Sequence, residues 1–184
     1  MLRLDSKTLR NLTIEEAEKI KSSLKKNPLF FILEDIYDTY NIGSFFRLAE
    51  ALAIKKVYLC GDTETPPNTK IKRAAIGTEK IVPWVYKKDI LEAIKELKEK
   101  EKAQIIAVEQ SPDSIVYTRA SYKLPVALIL GNETRGVSEK ALKNSDLIVE
   151  IPMYGVNKSL NVLVAASVVS YWIVKDIKGK LLYY

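Results

Sequence analysis

The 184-residue sequence contains no histidine and a single cysteine, Cys60. Without histidine a Ser-His-Asp triad is excluded, and the usual neutral-pH general base is missing. One cysteine cannot close a disulfide within the chain. With no histidine beside it, a Cys/His zinc site is almost excluded as well, so no metal is expected. Cys60 ends the apolar run VYLC and reads as a small buried strand residue. Glycine-rich phosphate loops are also missing. No G-x-G-x-x-G follows a strand candidate and no G-x-x-x-x-G-K-[ST] occurs, so any nucleotide-like ligand must be held in another way. The longest apolar stretch, Val162 to Val174, is interrupted by Ser167 and Ser170 and is too short to span a bilayer. The N-terminal MLRLDSKTLRNL places acidic and polar residues where a signal peptide needs an apolar run. The expected location is the cytoplasm.

What is present suits one globular domain over 1–184. Hydrophobic residues make up 47% and charged residues 28%, which supports a sizeable core and argues against disorder. A net charge of +6 and a pI near 9.2 suit a polyanionic partner, although the excess is dispersed. The last segment, 151–184, contributes four lysines and one acid, and Lys70, Lys72 and Arg73 form a compact cluster that a solvated helix face would also explain.

Apolar runs alternate with helical patterns along the chain. Thr13 and Glu16 form a capping box in front of a helix over 13–26. Strands are expected at Leu29–Leu33, Val57–Cys60, Gln104–Val108, Val126–Leu130 and Leu147–Ile151, with an extended piece at 81–85. Helices are expected at about 41–53, 69–75, 90–102, 138–143 and 159–175. Most strand candidates are continuously apolar. This is the pattern of a mostly parallel sheet flanked by helices on both faces, an α/β fold.

Ligands of parallel sheets bind beyond the carboxyl ends of the strands. Three polar segments fall there. The first is Asn41-Ile-Gly-Ser-Phe-Phe-Arg47, in which Asn41 can cap the helix and Arg47 lies roughly 120° further round the axis. The second is Leu130-Gly-Asn-Glu-Thr-Arg-Gly136, where glycines bracket Glu133 and Arg135 and permit close backbone approach. The third is Ile151-Pro-Met-Tyr-Gly-Val-Asn-Lys-Ser-Leu-Asn161. Ser159 is a good helix cap there, and the helix behind it is apolar nearly all round, as for burial in the core or in a subunit interface.

Together these segments resemble the three motifs of the SpoU family of RNA methyltransferases, in the SPOUT superfamily. N-I-G-S-F-F-R-L-A-E-A is similar to the first motif, L-I-L-G-N-E-T-R-G-V-S to the second and I-P-M-Y-G-V-N-K-S-L-N-V to the third. The likeness covers about 29–175. It implies a sheet whose C-terminal part forms a deep trefoil knot, S-adenosyl-L-methionine as cofactor, and a homodimer packed through the C-terminal helix. It further implies methylation of a ribose 2′-OH in RNA. Carried over by position, the catalytic set is Arg47, Asn41, Glu133, Ser159 and Asn161. Cofactor contacts fall on Val108, Gly131, Ile151 and Leu160. With residues 1–28 as a helical extension and no separate RNA-binding domain, RNA contact is expected from Lys70, Lys72, Arg73 and Arg135, and from Lys25 and Lys26 as further candidates. Transfer RNA is the expected substrate, with ribosomal RNA as the alternative. The rival from another class is a non-catalytic RNA-binding module retaining the fold.

Overall fold

The computed structural model describes residues 4–177. The first three residues, and Lys178 and Lys180 of the basic final segment, lie outside the described residues.

Strands β1 (Asn27–Glu34), β2 (Ile54–Cys60), β3 (Trp84–Lys87), β4 (Gln104–Val108), β5 (Ile115–Val116), β6 (Val126–Leu130) and β7 (Leu147–Glu150) form one sheet. Their order is β3-β2-β1-β6-β4-β7-β5, and every pairing is parallel. Successive side chains of a strand point to opposite faces, so a strand covered on both faces must be apolar throughout. In β1, Leu29, Phe31 and Leu33 enter one core while Phe30 and Ile32 enter the other. β6 divides likewise, with Leu128 and Leu130 on the first face and Ala127 and Ile129 on the second.

Helices cover both faces. The first face takes α3 (Thr39–Ala51), α4 (Thr69–Ala75) and α7 (Val162–Ile177). The second takes α5 (Ile90–Glu96) and α6 (Glu139–Lys143). A third, small cluster joins α1 (Ser6–Asn11) and α2 (Ile14–Ser23) to Ile81. Gly43 lets α3 and α4 touch, because a Cβ there would meet Ala74 and the Ile71 carbonyl. No helix among the described residues is long and apolar enough to cross a membrane.

Several elements differ from the sequence expectation. The N-terminal extension holds two short helices rather than one. Asp5 caps α1 through the Thr8 N–H, and the capping box at Thr13 opens α2. Asn41 does not cap α3; Asp38 does, accepting from the Tyr40 N–H, and Asn41 lies inside the helix. Nor does Ser159 cap α7. Asn161 takes that role, accepting from the N–H groups of Leu163 and Val164. The expected helix over 90–102 closes as a π turn at Leu97–Glu101. Lys102 then adopts a left-handed conformation and returns its N–H to the Leu97 carbonyl, which aims the chain into β4.

Candidate active site

The carboxyl ends of β1, β4, β6 and β7 gather on one edge of the sheet, and the three polar segments meet there. Glu133 follows β6. It accepts hydrogen bonds from the Tyr37 and Asp38 N–H groups, each at 3.3 Å, and from the Asn41 side-chain amide at 3.0 Å. The carbonyl of that amide accepts from Asn161 Nδ2 at 3.2 Å. A single chain of hydrogen bonds, Asn161 to Asn41 to Glu133, therefore ties together residues from all three segments. Asn41 is buried, and both ends of its amide are satisfied, as burial requires.

The second segment is a tight loop held from within. Asn132 Oδ1 accepts from the N–H groups of Thr134 and Arg135, and its Nδ2 donates to the Asp35 carbonyl at 2.7 Å. Gly136 has φ +69°, a conformation that favours glycine. At Gly131 a Cβ would run into the main chain of Gly136 and Val137. Behind the loop, Glu109 accepts the Val137 N–H at 2.8 Å. Glu34 accepts both the Ser138 N–H and hydroxyl, at 3.0 and 2.6 Å.

These loops enclose a cleft of about 440 Å³. Val108, Gly131, Ile151 and Leu160, the expected cofactor contacts, all line it, together with Glu133, Ser159 and Asn161. Among the described residues three carboxylates, Glu109, Glu133 and Glu150, line it and no lysine or arginine does. Among the described residues the main chain from 152 to 160 forms no backbone–backbone hydrogen bond. The Lys158 carbonyl accepts from Gln110 Nε2, and the Ser159 N–H is shared with Asn157. Peptide groups on this wall are thus left free to read a ligand.

Arg47 does not join this cluster. It is exposed and lines a second cavity of about 600 Å³, with Leu4, Ser6, Thr78, and Leu163 and Ser167 of α7. The six-residue step along α3 explains the separation: Asn41 turns toward Glu133 while Arg47 points to another side. Lys70, Lys72 and Arg73 are exposed on α4, and Lys25 is exposed between α2 and β1. Lys26 is half-buried, and burial lowers its pKa. Arg135 stands apart from the α4 cluster, its guanidinium donating to the Tyr37 hydroxyl at 2.7 Å and lying 3.5 Å from Asp35. Cys60 is fully buried, and burial pushes its thiol up to about 12, which removes it as a nucleophile.

Residues missed from the sequence are Glu34, Glu109 and Tyr37. Glu109 sits where a strand ends, and that placement was its available signal; the polar run that follows, Gln110-Ser-Pro-Asp113, makes it look like ordinary loop.

A family model for the SpoU rRNA methylases matches residues 28–171, which spans all three segments. The chain belongs to the SpoU family. Among SpoU relatives, the 23S rRNA (guanosine-2′-O-)-methyltransferase of Neisseria meningitidis is 30% identical over 83% of the chain and 60% of its own length. The tRNA (guanosine(18)-2′-O)-methyltransferase of Borreliella burgdorferi is 30% identical over 87% of the chain and 73% of its own length. The chain thus spans about 60% of the length of ribosomal RNA relatives that it matches. The solved Aquifex structure described as "A. aeolicus TrmH/SpoU tRNA modifying enzyme" superposes with a TM-score of 0.76 at 25% identity, covering 91% of the chain and 87% of that protein. The SpoU methyltransferase AviRb from Streptomyces viridochromogenes, solved with AdoMet, superposes with a TM-score of 0.76 at 24% identity, over 84% of the chain and 59% of AviRb.

Proposed function

We propose that this SpoU chain transfers a methyl group from S-adenosyl-L-methionine to a ribose 2′-OH of structured RNA, with tRNA as substrate, in the cytoplasm and as a homodimer. The observation that carries the reading is the Asn161–Asn41–Glu133 chain at the wall of a cleft lined by Val108, Gly131, Ile151 and Leu160. The cleft fits the cofactor chemically. Apolar side chains and free peptide groups suit an adenine ring. Three carboxylates, with no lysine or arginine opposite them among the described residues, suit a sulfonium cation. The C-terminal trefoil knot belongs to the proposal. It is supported by the likeness to SpoU structures and by the route of 151–161, which leaves β7, lines the cleft and leads into α7 against α3, β4 and β6.

The bound cofactor supplies an already activated methyl group, so the residues must chiefly align the ribose hydroxyl and handle its proton. Guanidinium is a poor base. Arg47 instead holds an RNA phosphate and stabilises negative charge developing on the 2′-oxygen. Glu133 and Asn41 fix the loop between β1 and α3, while Ser159 and Asn161 shape the ribose site. A dimer completes the arrangement. Arg47 opens onto the α7 face marked by Leu163 and Ser167, and the neighbouring strip of α7 leaves Val164 and Tyr171 exposed.

The Borreliella and Aquifex proteins support tRNA, and the Neisseria relative supports ribosomal RNA as a second reading. Labelling total RNA with methyl-labelled S-adenosylmethionine and mapping the product tests both. Label on a ribose of tRNA is expected, and label confined to ribosomal RNA favours the second reading. No transfer, combined with no calorimetric binding of the cofactor, points to an RNA-binding module.

A further inference from the structure

Beside the Glu133 end of the cleft stands an exposed aromatic–guanidinium pair that the transfer chemistry does not use. Tyr37 is 52% exposed, and the Arg135 side chain 62%. The guanidinium carbon lies 5.7 Å from the centre of the Tyr37 ring, and Nη2 donates to the phenol oxygen at 2.7 Å. Asp35 Oδ2, 3.5 Å away, is only a loose partner for so exposed a cation.

The backbone beneath the pair is fastened more firmly than the pair itself. Glu133 takes the Tyr37 and Asp38 N–H groups, Asn132 Nδ2 holds the Asp35 carbonyl, and Asn132 Oδ1 takes the Arg135 N–H. Both loops are thus stapled to each other at the foot of the two side chains. A half-exposed ring does little for a core, since much of its apolar surface stays in water. A ring and a guanidinium side by side, at the rim of the proposed cofactor cleft, are a surface onto which an unpaired base can stack. Stacking needs a π-face and favours a nearby cation, and it suits single-stranded RNA loops in particular.

We propose that Tyr37 and Arg135 form a stacking subsite for an unpaired RNA base adjoining the methylated ribose. This rests on the RNA reading above and adds to it the means by which the nucleotide is gripped. A stacked base accounts for the ring, and the guanidinium adds charge attraction to the adjoining phosphate.

The test measures affinity for unmodified total tRNA by filter binding without cofactor, and affinity for S-adenosylmethionine by calorimetry. Tyr37→Ala should weaken tRNA binding by about 5- to 150-fold, the range for losing one aromatic stacking contact. Tyr37→Phe should retain most of the affinity, because the ring stays, and both variants should bind the cofactor as the wild type does. Wild-type tRNA affinity in Tyr37→Ala overturns the subsite, as does an equal loss in Tyr37→Phe, which would assign the effect to the hydroxyl. A change in sedimentation with unchanged tRNA affinity also overturns it, by placing the ring between copies of the chain. Because binding is read without cofactor, failure of the wild type to transfer methyl groups would count against the proposed activity and leave this result readable.

Discussion

Asn41 has both ends of its side-chain amide engaged, by Glu133 on one side and Asn161 on the other. Replacing it by aspartate sets two carboxylates within hydrogen-bonding reach. One of them must then bind a proton or repel the other, which raises a carboxyl pKa in the folded state. A raised carboxyl pKa destabilises the fold above the ordinary carboxylate range, and the deficit disappears as the pH falls through that range. Asn41→Asp should therefore lose about 1–3 kcal/mol at pH 7, the scale for a disrupted buried polar contact, and approach wild type near pH 4. Denaturant melts at both pH values check this, and a pH-independent loss contradicts the shared-amide picture. Arg47 sets a different test. Lysine keeps the charge but not the planar fork, so Arg47→Lys should transfer methyl groups at under about a hundredth of the wild-type rate while binding the cofactor normally. Steady-state assays with saturating cofactor measure it, and near-wild-type turnover would remove Arg47 from the site. The identities of these residues are readable in the sequence, but their partners are not. Ser159 and Asn161 are both good caps by type. Asn161 begins the helix and also meets Asn41, a contact 120 residues apart in sequence that local propensity does not encode.

At the scale of elements, helix ends carry much of the geometry, and they titrate. Asp89 opens α5 by accepting the Leu91 N–H, and Lys140 of α6 reaches it at 2.9 Å. The lysine side chain, followed by the Leu91 N–H, holds the Asp89 carboxyl below its usual value. A lowered carboxyl pKa contributes stability above the unfolded value, and that contribution is lost as pH falls through the folded value. Asp89→Ala should cost about 1 kcal/mol at pH 7, the scale of a lost cap, and progressively less below about pH 4. The pair is largely exposed, so the ion pair itself adds little. Chemical denaturation at pH 7 and pH 3 checks the sign, and a larger deficit at pH 3 contradicts it. The strands were the most legible elements, because burial on both faces makes β6 and the inner runs Leu29–Leu33 of β1, Val57–Cys60 of β2 and Ile105–Val108 of β4 continuously apolar. Two-residue β5 and six-residue α1 carry too little pattern to be seen. The π turn at Leu97–Glu101 is set by the need to enter β4, which a helical periodicity cannot announce.

At the scale of the molecule, α7 is the element whose sequence character and position agree least with a lone chain. Ala166, Val169 and Ile173 are buried in the core, yet Val164 and Tyr171, seven residues apart on one helical face, remain exposed. A second copy packed there would cover them and bring another surface to the cavity containing Arg47. The wild type should sediment as a dimer at micromolar concentration, whereas Val164→Glu should sediment as a monomer and lose methyl transfer. A monomeric wild type would contradict the interface. The apolar character of α7 was evident in the sequence; that Arg47 and the Asn41–Glu133 pair occupy separate cavities was not, because it depends on what packs against each side of α3. The most direct measurement of the whole account is transfer of labelled methyl from S-adenosylmethionine to tRNA, followed by alkaline hydrolysis, by wild type and Arg47→Ala side by side. A methyl on the 2′-oxygen blocks alkaline cleavage at that linkage. The account predicts label in alkali-stable dinucleotides with the wild type and almost none with Arg47→Ala, with both proteins binding the cofactor. Label released entirely in mononucleotides, or equal transfer by the two proteins, would contradict it.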